Sequence, residues 1–483
     1  MSNSKKQLLN GVFWKSIQMI INQSFAFVVR LVLAKLLFPE QFGVVGMATV
    51  FTGFVQVLTE LGIGSSIIQK KDEELNEQHF STAFWTGILW SVALFLIMSF
   101  LVAPLAAKFY HEPILVSLIP VISIGILVSP INLVNKAQLA KKMDFKTIAR
   151  IDNMSTIFAG VLSLILAYFG AGVWSLAFNS TAIIVFAIPL YFRATGWYPK
   201  LIWNNAAFKD LFSFGMFITA TNIVNYLTNN LDYLIIGRLL NAELLGAYTL
   251  AFILTDTFKN RIMQVMNSVM YPFYGGIQDN VEQVRKYYLK VIEYNSIVVF
   301  PIMVFLVVYG HEVVYSFWGE KWMETIDPLK ILAVSVMFHM MVNSNTVLIR
   351  GLGFPKLEMN LQIFKAVIFV PFLYIFIHFW GIRGAAWAVL VNKVIAVCLA
   401  QYTFNRLINV KISTVQFLKA LQVPCVGSVA AFGLGYIVKY YGIHFIIGGI
   451  VMSLAYMLVV WLFMKGELTA IVSSFRNKKQ SLV

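Results

Sequence analysis

Apolar runs of roughly 20 residues recur along almost the whole chain and alternate with short polar stretches. A helix of about 20 apolar residues crosses a hydrocarbon core of about 30 Å. The pattern therefore predicts an all-α, polytopic membrane protein with about fourteen transmembrane helices. These spans are expected near residues 10–35, 42–68, 79–104, 113–135, 148–169, 172–192, 209–237, 243–272, 287–309, 328–349, 358–380, 384–405, 420–439 and 443–464.

The polar stretches between the spans are too short to form a soluble domain. The longest lie near 69–80, 136–150, 193–209 and 309–328, roughly 10–20 residues each, and none could bury a core of its own. Only 12% of the residues are charged, against about 25% in an average soluble protein.

The distribution of basic residues predicts the orientation. If both termini are cytoplasmic, the cytoplasmic segments hold 24 Lys and Arg residues and the opposite loops hold 6. Cytoplasmic loops of membrane proteins collect Lys and Arg in this way. The same bias accounts for most of the net charge of +15, so a nucleic-acid partner is not needed to explain it.

An internal repeat is visible in two turns that share Leu-Leu-x-x-Glu-x-x-Gly, at 36–43 and 239–246. Trp174 and Asn179 recur as Trp387 and Asn392. Six spans thus occur twice in the same orientation, which predicts two pseudo-symmetric six-helix lobes related by an axis along the membrane normal. The predicted organisation is an N-terminal lobe (1–192), a cytoplasmic linker (193–208), a C-terminal lobe (209–405), and an extra helix pair with a cytoplasmic tail (406–483).

Polar stripes mark the first helix of each predicted lobe. Spans 1 and 7 are repeat mates, so two such faces toward one lumen are the simplest arrangement. Side chains three or four residues apart share a helix face. The stripes consist of Lys15, Gln18 and Asn22 in span 1, with Arg30 beside them, and of Asn222, Asn225, Asn229 and Asp232 in span 7.

Span 8 carries the most unusual charges. Asp256 and Lys259, at i and i+3, are expected to pair, and Arg261 points elsewhere. Glu60 lies in span 2, the repeat mate of span 8. Ionisable groups inside a membrane usually face a cavity or a partner, and an excess of positive charge there would favour an anionic group such as a diphosphate. The predicted binding cations are Lys15, Arg30, Lys259 and Arg261, and the predicted coupling-ion sites are Glu60, Asp232 and Asp256.

A structural interpretation stands beside each functional one. Lys15 and Glu60 could snorkel to the headgroups, and Arg30 could pair with Asp232. Lys259 and Arg261 could be structural. Three other groups are weaker candidates: His339 could be a packing residue, and Lys365 and Lys393 could lie toward helix ends.

The chain resembles the Wzx-type polysaccharide flippases of the MOP exporter superfamily, particularly the colanic-acid-exporter-like branch. The resemblance covers roughly residues 5–410 and rests on the two Leu-Leu-x-x-Glu-x-x-Gly turns and the charged first helix. It rests also on short motifs: Gly11-Val12-Phe13-Trp14, Glu60-Leu61-Gly62-Ile63-Gly64, Ser129-Pro130 and Lys142-Met143-Asp144-Phe145.

The resemblance implies alternating access by a V-shaped pair of lobes in the bacterial inner membrane. The implied substrate is an undecaprenyl-diphosphate-linked oligosaccharide for O-antigen, capsule or exopolysaccharide assembly. A proton or sodium gradient, membrane lipids and polysaccharide polymerase machinery are the implied partners. Related lipid II flippases use cations in helices 1, 2 and 8; Lys15, Lys259 and Arg261 match by helix only, and span 2 offers Glu60 instead.

Three alternatives remain open, one of which is a passive scramblase or channel. A multidrug/cation antiporter of the same superfamily would be expected to have an acidic interior, whereas this one is cationic. A membrane-embedded polysaccharide polymerase or acyltransferase would need a sizeable outer loop or a catalytic cluster. The sequence has no Asp-x-Asp, no Gly-rich phosphate loop and no His/Cys metal pattern, so we predict no catalytic residue, metal or cofactor.

Overall fold

The computed structural model describes the backbone of residues 3–59, 66–67, 75–408 and 410–480. Most side chains of 3–20, 210–229, 258–272 and 467–480 lie outside the described residues. The helices are α1 Asn3–Leu36, α2 Pro39–Thr59, α3 Glu77–Tyr110, α4 Leu115–Lys141, α5 Phe145–Tyr168, α6 Val173–Thr195, α7 Asn205–Leu239, α8 Ala242–Gly276, α9 Val281–Trp318, α10 Glu320–Gly351, α11 Pro355–Tyr402, α12 Thr414–Tyr440 and α13 Phe445–Gln480.

Ten helical segments in the described part of the chain are long and apolar enough to cross a membrane. Many of their large apolar side chains point outward, such as Phe100, Phe169 and Val429. An exposed apolar surface of this extent is not tolerated in water but suits contact with lipid. The prediction of an all-α, multi-pass membrane protein is confirmed.

The chain divides into two compact units, Met1–Thr249 and Leu250–Val483, and α8 runs from the first into the second. In unit 1, α1 packs against α5, α5 against α6, and α6 against α4. Helix α4 also contacts α2 and α3, and α2 contacts α7. The division into lobes at 193–208, drawn from the repeat, stays a prediction.

In unit 2, α9 packs against α10 and α12, and α10 packs against α11. The 48 residues of α11 comprise two helical halves, because Gly381 interrupts them with φ 55° and ψ −136°. Gly172, at the start of α6, has nearly the same conformation, φ 57° and ψ −130°. Since a side chain would be strained there, the two glycines mark similar turns in the two halves of the chain.

The predicted extra pair, α12 and α13, is fastened to α9. Tyr309 of α9 donates a hydrogen bond to the carbonyl oxygen of Gly435 at 3.0 Å. Lys439 of α12 pairs with Glu312 of α9 at 2.7 Å and donates to the carbonyl oxygen of Val308 at 2.7 Å. These bonds fasten α12 to α9, and α13 packs against α12.

The two copies of the repeated turn touch each other through their glycines. A Cβ at Gly43 would overlap the backbone carbonyl of Ala242, and a Cβ at Gly246 would overlap that of Pro39. Gly43 and Gly246 are repeat mates, as are Pro39 and Ala242, so the contact is reciprocal in the way of a two-fold interface. Only glycine lets helix backbones approach so closely.

The linker predicted at 193–208 is hydrogen-bonded to α3. Trp197 donates its indole N–H to Glu77 at 2.9 Å, and Trp203 donates to Thr86 at 3.1 Å. The indole of Trp85 in turn donates to the carbonyl oxygen of Lys200 at 2.8 Å. The linker therefore fixes the entry of α7 against α3.

We predict that Gly43→Ala and Gly246→Ala destabilise the protein by similar amounts, about 3 kcal/mol each, because the new methyl group meets backbone that cannot rotate away. Thermal unfolding of the detergent-solubilised protein measures the loss. Gly433→Ala in α12 is the matched control, since its Cβ would enter open space. A loss confined to one of the two repeat glycines would contradict the reciprocal contact.

Candidate functional site

A hydrogen-bond cluster around Asp152 joins four helices of unit 1. Its Oδ2 accepts from Lys136 Nζ of α4 at 2.7 Å and from the Gln18 amide of α1, and its Oδ1 accepts from the Tyr191 hydroxyl of α6 at 2.6 Å. Gln18 is 5% exposed and Tyr191 is 1% exposed. Because every donor comes from a different helix, the carboxylate locks α1, α4, α5 and α6 together.

Asp152 and Lys136 were not among the predicted site residues. The charge count assigned Lys136 to a cytoplasmic loop, but α4 continues to Lys141. The two residues lie about two helical turns on either side of the turn at 142–144, a spacing that brings side chains of antiparallel neighbours side by side. That symmetric spacing is the signal that could have found the pair.

The other predicted residues of spans 1 and 7 that the structure describes differ in burial and in hydrogen-bond partners. Asn22, one turn beyond Gln18, is half-buried, and its Oδ1 has no hydrogen-bond partner among the described residues. Arg30 is exposed on α1. Asp232 of α7 is 6% exposed and accepts a hydrogen bond from Tyr248 at 3.2 Å.

The predicted pair in α8 is confirmed. Lys259 Nζ lies 2.7 Å from Asp256 Oδ1, and Lys259 is only 9% exposed. The pairing partly neutralises a charge that is costly to bury in a membrane.

Three further ionisable groups of unit 2 lie within long apolar helices: His339 in α10, and Lys365 and Lys393 in α11. Lys365 and Lys393 belong to the two halves of α11, and both are away from the ends that were considered for them.

Asn343 lies one helical turn after His339, on the same face of α10. It is 5% exposed, and neither its Oδ1 nor its Nδ2 has a hydrogen-bond partner among the described residues. A buried amide without partners costs about 1–3 kcal/mol. Such a group is expected to have a ligand or water as its partner.

An ion pair joins the end of α10 to the start of α11. Arg350 donates to Glu358 Oε2 from Nε at 3.1 Å and from Nη2 at 2.9 Å, and Gln362 donates to Glu358 Oε1 at 3.0 Å. Glu358 is 4% exposed, so its carboxylate is buried together with these bonds.

Several predicted residues cannot be placed in this geometry. Glu60 lies outside the described residues, as do the side chains of Lys15, Asn222, Asn225, Asn229 and Arg261. The backbone of Lys15 lies in α1, that of the three asparagines in α7 and that of Arg261 in α8. Within the described ranges, no three His, Cys, Asp or Glu side chains group in a way that could hold a metal ion.

The chain is similar to proteins of polysaccharide biosynthesis. A family model described as "Polysaccharide biosynthesis protein" matches residues 32–327. The teichuronic acid biosynthesis protein TuaB of Bacillus subtilis (strain 168) is 25% identical over 444 residues, 90% of each chain. The lipopolysaccharide biosynthesis protein WzxC of Escherichia coli (strain K12) is 26% identical over 451 residues, 90% of this chain and 89% of WzxC.

The fold is similar to that of a solved transporter. The lipid II flippase MurJ in an inward closed conformation matches with a TM-score of 0.74 and 13% identity, covering 95% of this chain and all of MurJ. Together with the WzxC match, this confirms the resemblance to Wzx-type exporters that the short motifs indicated.

We predict that Asp152→Ala destabilises unit 1 by about 1–3 kcal/mol, because the buried Tyr191 hydroxyl loses its acceptor. Asp152→Asn keeps an acceptor oxygen and should cost less. Lys136→Met is the matched comparison: the Lys136 side chain is 43% exposed, so its ion pair contributes at most about 1 kcal/mol. Thermal unfolding measures all three, and an equal loss in Lys136→Met and Asp152→Ala would refute this ranking.

Proposed function

Because the chain belongs to the polysaccharide biosynthesis protein family, we propose that it flips undecaprenyl-diphosphate-linked oligosaccharide repeat units across the bacterial inner membrane. The observation that carries the proposal is the family match over residues 32–327 in a chain whose described helices suit a membrane. The product would serve assembly of a surface polysaccharide, which is O-antigen, capsule or exopolysaccharide. Similarity to the biosynthesis proteins TuaB and WzxC and to the lipid II flippase MurJ supports a polysaccharide or lipid-linked substrate.

The chemistry of this substrate requires a polar interior. Sugar hydroxyls and a diphosphate cannot enter a hydrocarbon core of about 30 Å without compensating partners. Lys259, buried in α8, and its partly exposed partner Asp256 are suited to line such a path. We assign Lys15, Arg30 and Arg261 to the same path as further cations, and Gln18, Asn22, Asn222, Asn225 and Asn229 as its polar stripes.

Fourteen transmembrane helices, with both termini cytoplasmic, form part of the proposal. Helices α1, α7 and α8 would add three crossings to the ten apolar segments, and division of α11 at Gly381 would add one more. The lobes would be 1–192 and 209–405, and they would expose the polar interior to the two membrane faces in turn. The reciprocal contact of Gly43 and Gly246 supports their two-fold relation.

Coupling to a proton or sodium gradient is the proposed drive. Glu60, Asp232 and Asp256 are the candidate ion-binding carboxylates. A proton or sodium ion bound at Asp256 would weaken its hold on Lys259, and such a local charge change can favour one arrangement of the helices over another.

Depletion of the protein is predicted to make one complete undecaprenyl-diphosphate-linked repeat unit accumulate while the surface polymer is lost. Mass spectrometry of the extracted lipid-linked sugars measures this. An unchanged lipid pool with normal surface polymer would refute the proposed function.

Lys259→Ala and Arg261→Ala are predicted to reduce polymer export at least about tenfold, since a partner of the diphosphate is worth about 1.5–3 kcal/mol. Membrane levels of both variants should be normal. Lys419→Ala is the control, because Lys419 is exposed on α12. Full export by the double variant would exclude these cations from the path.

A further inference from the structure

A groove of about 290 Å³ opens at one end of unit 2. It is formed where three connections meet: α8 to α9, α10 to α11, and α11 to α12. The distribution of basic residues predicts that all three lie on the cytoplasmic side. The floor of the groove is firm, because Val284, Ile408 and Val410 belong to the buried core of the unit. The apolar lining consists of Val281, Val284, Leu352, Phe354, Ile408 and Val410.

The rim of the groove is basic. Lys356, Arg406 and Lys411 are exposed, and each lies within two residues of a residue that lines the groove. In the part of the chain that the structure describes, no carboxylate forms an ion pair with any of the three. Two exposed carboxylates, Asp279 in the lining and Glu282 beside it, are outnumbered by these cations. The rim is therefore positive overall and suits an anion.

Arg285 provides an independent observation that a ligand belongs here. It follows Val281 by four residues and Val284 by one, so it shares the helix face of α9 that lines the groove. Its Nε is buried and has no hydrogen-bond partner among the described residues. A buried donor of a charged group is costly to leave unpaired, and a phosphate oxygen is a strong acceptor for it.

The backbone at Lys411 is unusual. Its φ is 46°, a conformation in which glycine is free of strain and other residues are not. Its N–H donates to the carbonyl oxygen of Phe404 at 3.1 Å, a bond that any residue could make. Strain that persists in a structure is often associated with function. A lysine at a position that favours glycine therefore indicates a use for its ammonium group.

Large apolar side chains alternate with these cations. Phe354, Met359 and Leu407 are each about half exposed, close in sequence to Lys356 and Arg406. Exposed apolar groups beside basic ones are typical of the headgroup level of a bilayer, where each kind of group has a partner. An acidic soluble protein would leave the apolar groups in water when it dissociates, so a lipid is the better occupant.

We infer that this groove binds an anionic phospholipid of the inner leaflet. One acyl chain lies against Val281 and Phe354, and the phosphate accepts hydrogen bonds from Arg285 and Lys411. Basic pockets at the cytoplasmic ends of membrane helices bind lipid headgroups in this way. The inference goes beyond the proposed function, because this lipid stays bound and is not transported. It would hold the three connections together at the membrane surface.

The test measures lipid binding to the full-length, delipidated protein in detergent by native mass spectrometry. Phosphatidylglycerol is the anionic probe, and phosphatidylcholine with the same acyl chains is the zwitterionic control. The wild type should bind phosphatidylglycerol in preference. Arg285→Gln and Lys411→Gly should each weaken that binding about fivefold, since a basic residue near an anionic surface contributes about that factor. Binding of phosphatidylcholine should be unchanged.

The variant Lys411→Gly keeps the test decisive if Arg285→Gln fails to fold, because glycine relieves the strain at position 411. Thermal unfolding without added lipid checks the folding of each variant. Lys286→Gln is the matched control: Lys286 is exposed on α9, two residues after Val284 and therefore on another face. An equal loss of binding in Lys286→Gln would assign the effect to general surface charge and overturn the site.

Val281→Trp tests the apolar part of the groove separately. Val281 is 39% exposed, so a larger side chain can occupy the groove without displacing the core. The variant leaves every charge in place and should weaken phosphatidylglycerol binding at least as much as Lys411→Gly does. Wild-type binding by Val281→Trp would overturn the groove as the place of the acyl chain. Equal binding of the two lipids by the wild type would overturn the preference for an anion.

Discussion

The close contact of Gly43 with Ala242 and of Gly246 with Pro39 is the constraint on which the arrangement of unit 1 depends. It brings the start of α2 against the start of α8 with no side chain between the backbones. Farther along α2, the Tyr226 hydroxyl of α7 donates to the carbonyl oxygens of Thr49 and Val50 at 2.9 and 3.0 Å. In a membrane, where lipid competes for every apolar surface, such backbone approach and hydrogen bonding replace hydrophobic burial as the source of specificity.

The same two turns explain why a repeat can persist at low sequence similarity. Each glycine lies against the backbone at the start of the other turn, so a side chain at either glycine would overlap that backbone. The rest of each copy faces a different environment and is free to diverge. Lys136 and Asp152 form an ion pair in one half of the chain, and Lys365 and Lys393 add positive charge to the other.

Much of the fold could be predicted from local pattern. The apolar runs predict the helices because helix length and membrane thickness are both fixed, and the i, i+3 spacing predicts the Lys259–Asp256 pair because both residues lie on one helix. The Lys136–Asp152 pair was missed because it depends on which helices pack together. The tryptophans of the linker suited a membrane interface, yet Trp197 and Trp203 donate to side chains of α3, since composition alone does not distinguish a headgroup from a protein partner.

The candidate site, like the fold, was predictable only where the signal is local in the sequence. Sequence could identify charges within apolar runs, but it could not tell a satisfied charge from an unsatisfied one. Gln18 was predicted to face a lumen, and the structure shows it bound to Asp152. Lys365 and Lys393 were weak candidates until the turn at Gly381 placed them away from the helix ends.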